Sequence, residues 1–167
     1  MSRTLFATPE DVESAFYDAI NKGDLDALMR VFAEEEELIC IHPSGEQYMG
    51  AAAIRESWQR IFANNARLRI DIRPKIQWKS TLFTAHSAEE TLYVGEAKTP
   101  QAHFFVTHIF QRGALGWRLV SRHSSVLNES AVSNNEKRIL HWETNIFTFD
   151  FAGLKKTNLS QTRGFID

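Results

Sequence analysis

Near Arg67 the spacing of the apolar residues switches from that of helices to that of strands, and the switch separates a mainly helical first stretch from a stranded one over 67–126. In the first half Thr8 is a good N-cap, Pro9 sits where a missing N–H costs nothing, and Glu10 and Asp11 complement the helix dipole. Val12, Ala15, Phe16, Ala19 and Ile20 then lie on one stripe, which predicts a helix running to Asn21-Lys22-Gly23. Asp24 can cap a second, short helix in which Leu25, Leu28, Met29 and Phe32 repeat the spacing. The acidic run 34–37 reads as a solvated turn. Residues 38–41 form a short apolar run that reads as a buried strand, stopped by His42-Pro43-Ser44-Gly45. The chain returns through Tyr48-Met49-Gly50 to a third helix, with Ile54, Trp58, Ile61 and Phe62 inward, until Asn64-Asn65 ends it.

In the second half, Leu68, Ile70, Ile72, Ile76 and Trp78 alternate with polar residues over 67–79, the pattern of one long amphipathic strand. Pro74 inside it predicts a bulge or an edge position, because proline cannot donate to a central ladder. Strands are expected over 82–94, 102–111 and 117–126, the last two joined as a hairpin across Gly113-Ala114-Leu115-Gly116. In the middle strand Phe104, Val106 and Phe110 share one face and Phe105 and Ile109 the other, so both faces need cover. Helices can cover one. A second copy of the chain, packed sheet on sheet, is the economical cover for the other.

Helix, helix, strand pair, helix and then long antiparallel strands make an α+β domain with the helices packed in the curve of one strongly bent sheet. The domain is expected over residues 1–127, with 128–167 as an extension packing on it or on a partner subunit. Within the extension, 134–143 has helical spacing, 144–151 alternates with Phe147, Phe149 and Phe151 on one side, and 152–167 is polar and looser.

A formal charge of -2 argues against a dedicated nucleic-acid binder and gives no general attraction to anionic membranes. The cations Arg67, Arg69, Arg73, Lys75 and Lys79 lack interleaved aromatics and read as a solvated face. Cys40 is the only cysteine, which fits a reducing compartment. With no signal-peptide pattern and no apolar run near membrane-spanning length, a cytoplasmic protein is expected. No HxH, HExxH or CxxC spacing, phosphate loop or G-x-S-x-G elbow is present, so no metal and no cofactor is expected.

Phe16-Tyr17, Gly23-Asp24-Leu25-Asp26-Ala27, Cys40-Ile41-His42-Pro43, Gly50, Ala53-Ile54, Ser57-Trp58 and Ile61 follow one another in an order that resembles the SnoaL-like branch of the nuclear transport factor 2-like superfamily. Glu89-Glu90, Thr107-His108-Ile109-Phe110 and Gly116-Trp117-Arg118-Leu119-Val120 continue the resemblance, which covers about residues 8–127. It implies a cystatin-like, ketosteroid isomerase-like cone of α+β type, open at one end to a mostly apolar pocket, and commonly a homodimer through the outer face of the sheet. Relatives of this kind include isomerases, dehydratases, epoxide hydrolases and cyclases alongside members that only bind or dimerise, so fold alone does not give function. The chain departs from its branch at His108, where Asn is usual, at Ser121-Arg122, where a His pair is usual, and at Val126, where Pro is usual. The Tyr and paired-Asp set of the steroid isomerases and the Asp-Arg-Asp set of the epoxide hydrolases find no match.

An apolar cone needs polar groups at its floor before it can do more than hold a ligand. Glu90 shares parity with Ala88, Leu92 and Val94; on a buried face, desolvation would suit it to general acid or base work. The plainer reading pairs it with a basic side chain on the outer face of the sheet. His108 shares parity with Phe104, Val106 and Phe110, and His123 with Trp117, Leu119 and Ser121, which would set His123 and Ser121 beside His108 on neighbouring strands. Each histidine has the plainer reading of a satisfied core group. Trp58, Phe62 and Tyr48 are candidate ligand walls, and His42 a candidate for the pocket rim. Two functions follow: a cofactor-independent isomerase, dehydratase or cyclase in which Glu90 or His108 shifts a proton on a small apolar carbonyl compound, or a non-catalytic ligand-binding or dimeric assembly module.

Overall fold

The structure is a computed structural model, and it describes residues 4–34, 37–64 and 67–127 together with the backbone of 147–150 and 155–158. Helix α1 (Pro9–Lys22) begins on a reciprocal cap: the Thr8 hydroxyl accepts from the Asp11 N–H at 3.1 Å, and the Asp11 carboxylate accepts from the Thr8 N–H at 3.0 Å. It ends at Gly23, whose left-handed φ of 65° lets its N–H turn back onto Ala19 and Ile20. Asp24 caps α2 (Leu25–Val31) through the Ala27 N–H. Strands β1 (Ile39–Ile41) and β2 (Gln47–Met49) form a small antiparallel pair, and α3 (Gly50–Ala63) follows directly. Long strands β3 (Leu68–Lys79), β4 (Phe83–Val94), β5 (Ala102–Gly113) and β6 (Gly116–Val126) complete the domain.

The six strands lie in the order β2-β1-β6-β5-β4-β3. All neighbours are antiparallel except β1 with β6, which run parallel, so the first short strand closes the sheet beside the last long one. The curved, open, mixed sheet holds the three helices in its concavity. The core there is built from Val12, Phe16 and Ile20 of α1, Leu28 and Val31 of α2, Ile54, Trp58 and Ile61 of α3, and Leu92, Phe104, Phe110 and Leu119 of the sheet. Phe16 is its hub, with edge-on contacts to Tyr17, Phe32, Trp58 and His108.

Two bulges decide which residues face the concavity. In β3 the register slips between Pro74 and Ile76, leaving Lys75 unopposed, at the edge position that Pro74 predicts. Beyond the slip the parity inverts: Leu68 and Ile70 are buried beneath the helices, whereas Ile76 and Trp78 are exposed on the convex face. The single face expected for all of these residues is thus split. In β6 the slip falls between Leu119, opposite Phe110, and Ser121, opposite Ile109. Trp117 and Leu119 point inward, and after the slip Arg122 and Ser124 do so in place of Ser121 and His123.

A second, two-stranded sheet pairs β7 (Phe147–Asp150) with β8 (Lys155–Asn158) antiparallel. The aromatic alternation thus forms a ribbon of its own and is not an edge of the main sheet, and part of the segment expected to be looser is a strand. The helix expected over 134–143 lies outside the described residues.

Candidate functional site

One row of cross-strand partners on the concave face runs His86, His108, Arg122, Cys40, Tyr48 from β4 to β2. Helix α1 lays Glu13, Phe16 and Tyr17 over this row. Glu90 is completely buried, and Nη2 of Arg122 donates to both of its oxygens, at 2.8 and 3.0 Å. Tyr17 Oη donates to the same carboxylate at 2.8 Å. Burial and the Glu90 charge push the Tyr17 phenol well above its ordinary range, so it stays a donor. Burial works against the Arg122 charge, but Glu90 outweighs it and the guanidinium is held even more firmly protonated. The guanidinium also lies over the rings of Phe16 and Trp58, at 5.6 and 5.8 Å from their centroids.

Glu13 makes the second half of the cluster. Its two oxygens meet Nδ1 of His86 and Nδ1 of His108, each at 3.0 Å. Burial alone would raise this carboxyl, yet the hydrogen bonds from His108 and His86 prevail and hold it at about 2. An ionised carboxylate only accepts, so both Nδ1 atoms carry the proton. Burial lowers His108, with Glu13 offsetting part of the effect, which makes a neutral imidazole with Nε2 as a bare acceptor. Nε2 of both histidines, Nε and Nη1 of Arg122, Nε1 of Trp58 and Oγ of Ser124 are buried without a hydrogen-bond partner. Burial also raises the Cys40 thiol, with nearby Arg122 offsetting part of the rise.

The structure therefore brings Glu90 and His108 to one buried cluster, with Trp58 against it. His123 and Ser121 stand on the other side of the sheet: His123 is exposed and opposes Thr107, and Ser121 opposes Ile109. Their expected place beside His108 is taken by Arg122, because the β6 bulge inverts the parity on which that expectation rested. His42 is buried against Trp58 and Tyr48, with Nε2 3.0 Å from Ser57 Oγ. The Ser57 hydroxyl already donates to the Ile54 carbonyl, so His42 Nε2 is the donor. Burial, with repulsion from Arg122 and Arg60, holds His42 down at about 3. Tyr48 is half-buried and donates to Glu46 at 3.2 Å.

Of the expected wall residues, Phe62 lines a depression of about 460 Å³ bounded also by Ile20, Asn21, Lys22, Gly23, Arg67 and Leu68. A neighbouring one of the same volume adds Arg69 and residues 95–98. Glu90, His108 and His123 border neither. Among the described residues no group of three or more His, Cys, Asp or Glu is arranged to hold a metal ion, and no helix is long and apolar enough to cross a membrane. Sequence reasoning did not single out Arg122, Glu13, Tyr17 or His86. For Glu13 and Tyr17 the signal was their place next to the apolar stripe of α1; for Arg122 it was the position where the resembled branch has a His pair, although strand parity pointed it outward until the bulge turned it inward.

Three helices held by a curved six-stranded mixed sheet make the cystatin-like, NTF2-like fold of α+β type, and solved structures with this architecture carry those names. The chain belongs to the SnoaL-like domain family, whose model matches residues 10–129. A solved structure from Thiobacillus denitrificans, described as a calcium/calmodulin-dependent protein kinase type II association domain, is 31% identical with a TM-score of 0.71, covering 75% of this chain and 99% of that one. An NTF2-like protein of Streptomyces avermitilis, described as a dehydratase, shares the fold at 21% identity and a TM-score of 0.61, over 70% of this chain and 91% of its own. The F-box protein SKIP8 of Arabidopsis thaliana is 26% identical over 125 residues, 70% of this chain; the chain spans about half, 48%, of that relative's length.

Proposed function

We propose that this protein is an association module in which two copies pair through the convex face of the sheet. The observation that carries this reading is the set of large apolar side chains left open there: Trp78 is 56% exposed, Ile76 52%, Phe105 39% and Ile109 36%. The register places Trp78, Ala85, Ile109, Ser121 and Ile39 in one row and Ile76, Ser87, Thr107, His123 and Ile41 in the next. Four strands about 4.8 Å apart and about ten residues long offer on the order of 600 Å², close to the roughly 800 Å² per partner of a stable interface. At one end Glu89 is tied to Lys75 at 2.8 Å and Arg73 at 3.6 Å, which suits the charged rim of such a contact. On the concave face, by contrast, Arg122 and Glu90 neutralise one another. The 31% identity to a protein described as an association domain supports the same reading. The single buried thiol of Cys40 fits a reducing, cytoplasmic setting. Light scattering on the full chain tests it: a dimer mass is expected, with Ile109→Lys monomeric and unchanged in circular dichroism. A monomeric parent protein would overturn it.

A second reading draws on the partnerless buried atoms. With Nδ1–H held by Glu13, His108 offers a bare Nε2 directly opposite Arg122, which keeps two unpartnered N–H groups. That is the arrangement of an oriented base beside an oxyanion donor. It supports a cofactor-independent proton transfer on a small apolar carbonyl compound, as an isomerase, dehydratase or cyclase performs. Deuterium exchange at the α-carbon of a cyclic ketone, followed by NMR and lost in His108→Gln, is the expected result; no exchange above buffer leaves association as the function.

A further inference from the structure

We infer that the association face is acid-sensitive and that His123 is the group that makes it so, an inference that rests on the association reading above. The β6 bulge turns His123 outward into the second of the two rows, between Thr107 on β5 and Ile41 on β1, with Phe105 and Ile109 two residues from Thr107 on the same face. The other charged or titratable groups on this face stand apart from it. On β3 and β4, Arg73 and Lys75 are paired with Glu89 at one end, and beyond them Asp71 is paired with Arg69, which lies over the Tyr93 ring. On β5, His103 lies beyond Phe105 with its Nδ1 3.2 Å from the Thr91 hydroxyl. On β6, Arg118 lies at the opposite end, its guanidinium donating to the carbonyls of Thr4 and Trp117. No carboxylate faces His123 across β5 or β1 among the described residues.

A neutral imidazole can be covered by an apolar surface at modest cost, whereas an imidazolium without a counter-ion cannot. In a two-fold pair the same row is buried from both copies, so two imidazoles leave water together. Proton binding therefore favours the separated subunits. The dissociation constant is accordingly expected to rise as the pH is lowered from 7.5 to 5.5.

Sedimentation velocity of the full chain at those two pH values, with circular dichroism at each to verify the fold, tests the inference. A rise of about tenfold or more in the wild type, and less than threefold in His123→Gln, is expected. His123→Asn, which also keeps a neutral polar side chain, is expected to behave as His123→Gln. A dissociation constant that is the same at both pH values, or a pH effect that survives in both variants, overturns the role of His123 while leaving association standing. A wild type that is monomeric at pH 7.5 overturns the association reading and this inference with it.

Discussion

Arg122 is the cation bonded to the buried Glu90 carboxylate among the described residues. Removing one member of a buried pair strands the other in low dielectric, so Arg122→Ala is expected to lower unfolding free energy by about 3–5 kcal/mol. Replacing both by apolar residues of similar shape, as in Glu90→Met with Arg122→Met, is expected to cost much less. A double-mutant cycle in urea measures the difference; equal losses for the single and double replacements would show that the charge pair is not what the single change disrupts. Tyr17 is the third member, since its hydroxyl supplies the neutral donor that the carboxylate needs beyond Arg122.

At the scale of elements, the reciprocal cap at Thr8 and Asp11 fixes where α1 begins and hence where Glu13, Phe16 and Tyr17 descend onto the sheet. Thr8→Ala removes the acceptor for the Asp11 N–H, and a loss of about 1 kcal/mol in thermal or urea unfolding is expected. The helix boundaries were legible because caps and stripes are local: Thr8, Pro9, Gly23 and Asp24 stand in the structure where their chemistry places them. The strands were legible in extent for the same reason, through alternation and the Gly113 to Gly116 turn. Their faces were legible only as far as the bulges. A single unopposed residue at Lys75 and another between Leu119 and Ser121 each reverse every side chain that follows, and neither reversal leaves a local mark except Pro74.

For the whole molecule, the buried groups that titrate on the acid side pull stability the same way with pH. His42 is held at about 3, below the 6.5 of an ordinary imidazole, and burial also lowers His108. Glu13 is held at about 2, below the usual 4.5. In each case the unfolded chain binds the proton more readily, so acid favours unfolding. The contribution of His42 is lost as pH falls from 6.5 toward 3, and that of Glu13 as it falls from 4.5 toward 2. His42 alone is expected to remove about 2 kcal/mol by pH 5. Urea midpoints of the Ile109→Lys variant, which keeps dissociation out of the measurement, are expected to fall steadily below pH 6.5; a midpoint flat to pH 5 would contradict the burial of His42.

The sequence by itself determined the α+β class and the order and most boundaries of the helices and strands, because these follow from caps and periods within a few residues; for Glu90 it left a buried and an outer-face reading side by side. Only the tertiary structure decided which groups meet. Arg122 reaches Glu90 from two strands away, Glu13 joins two histidines from a helix, and His123 passes to the outer face. Those outcomes depend on register between segments distant in the chain, which no local pattern encodes.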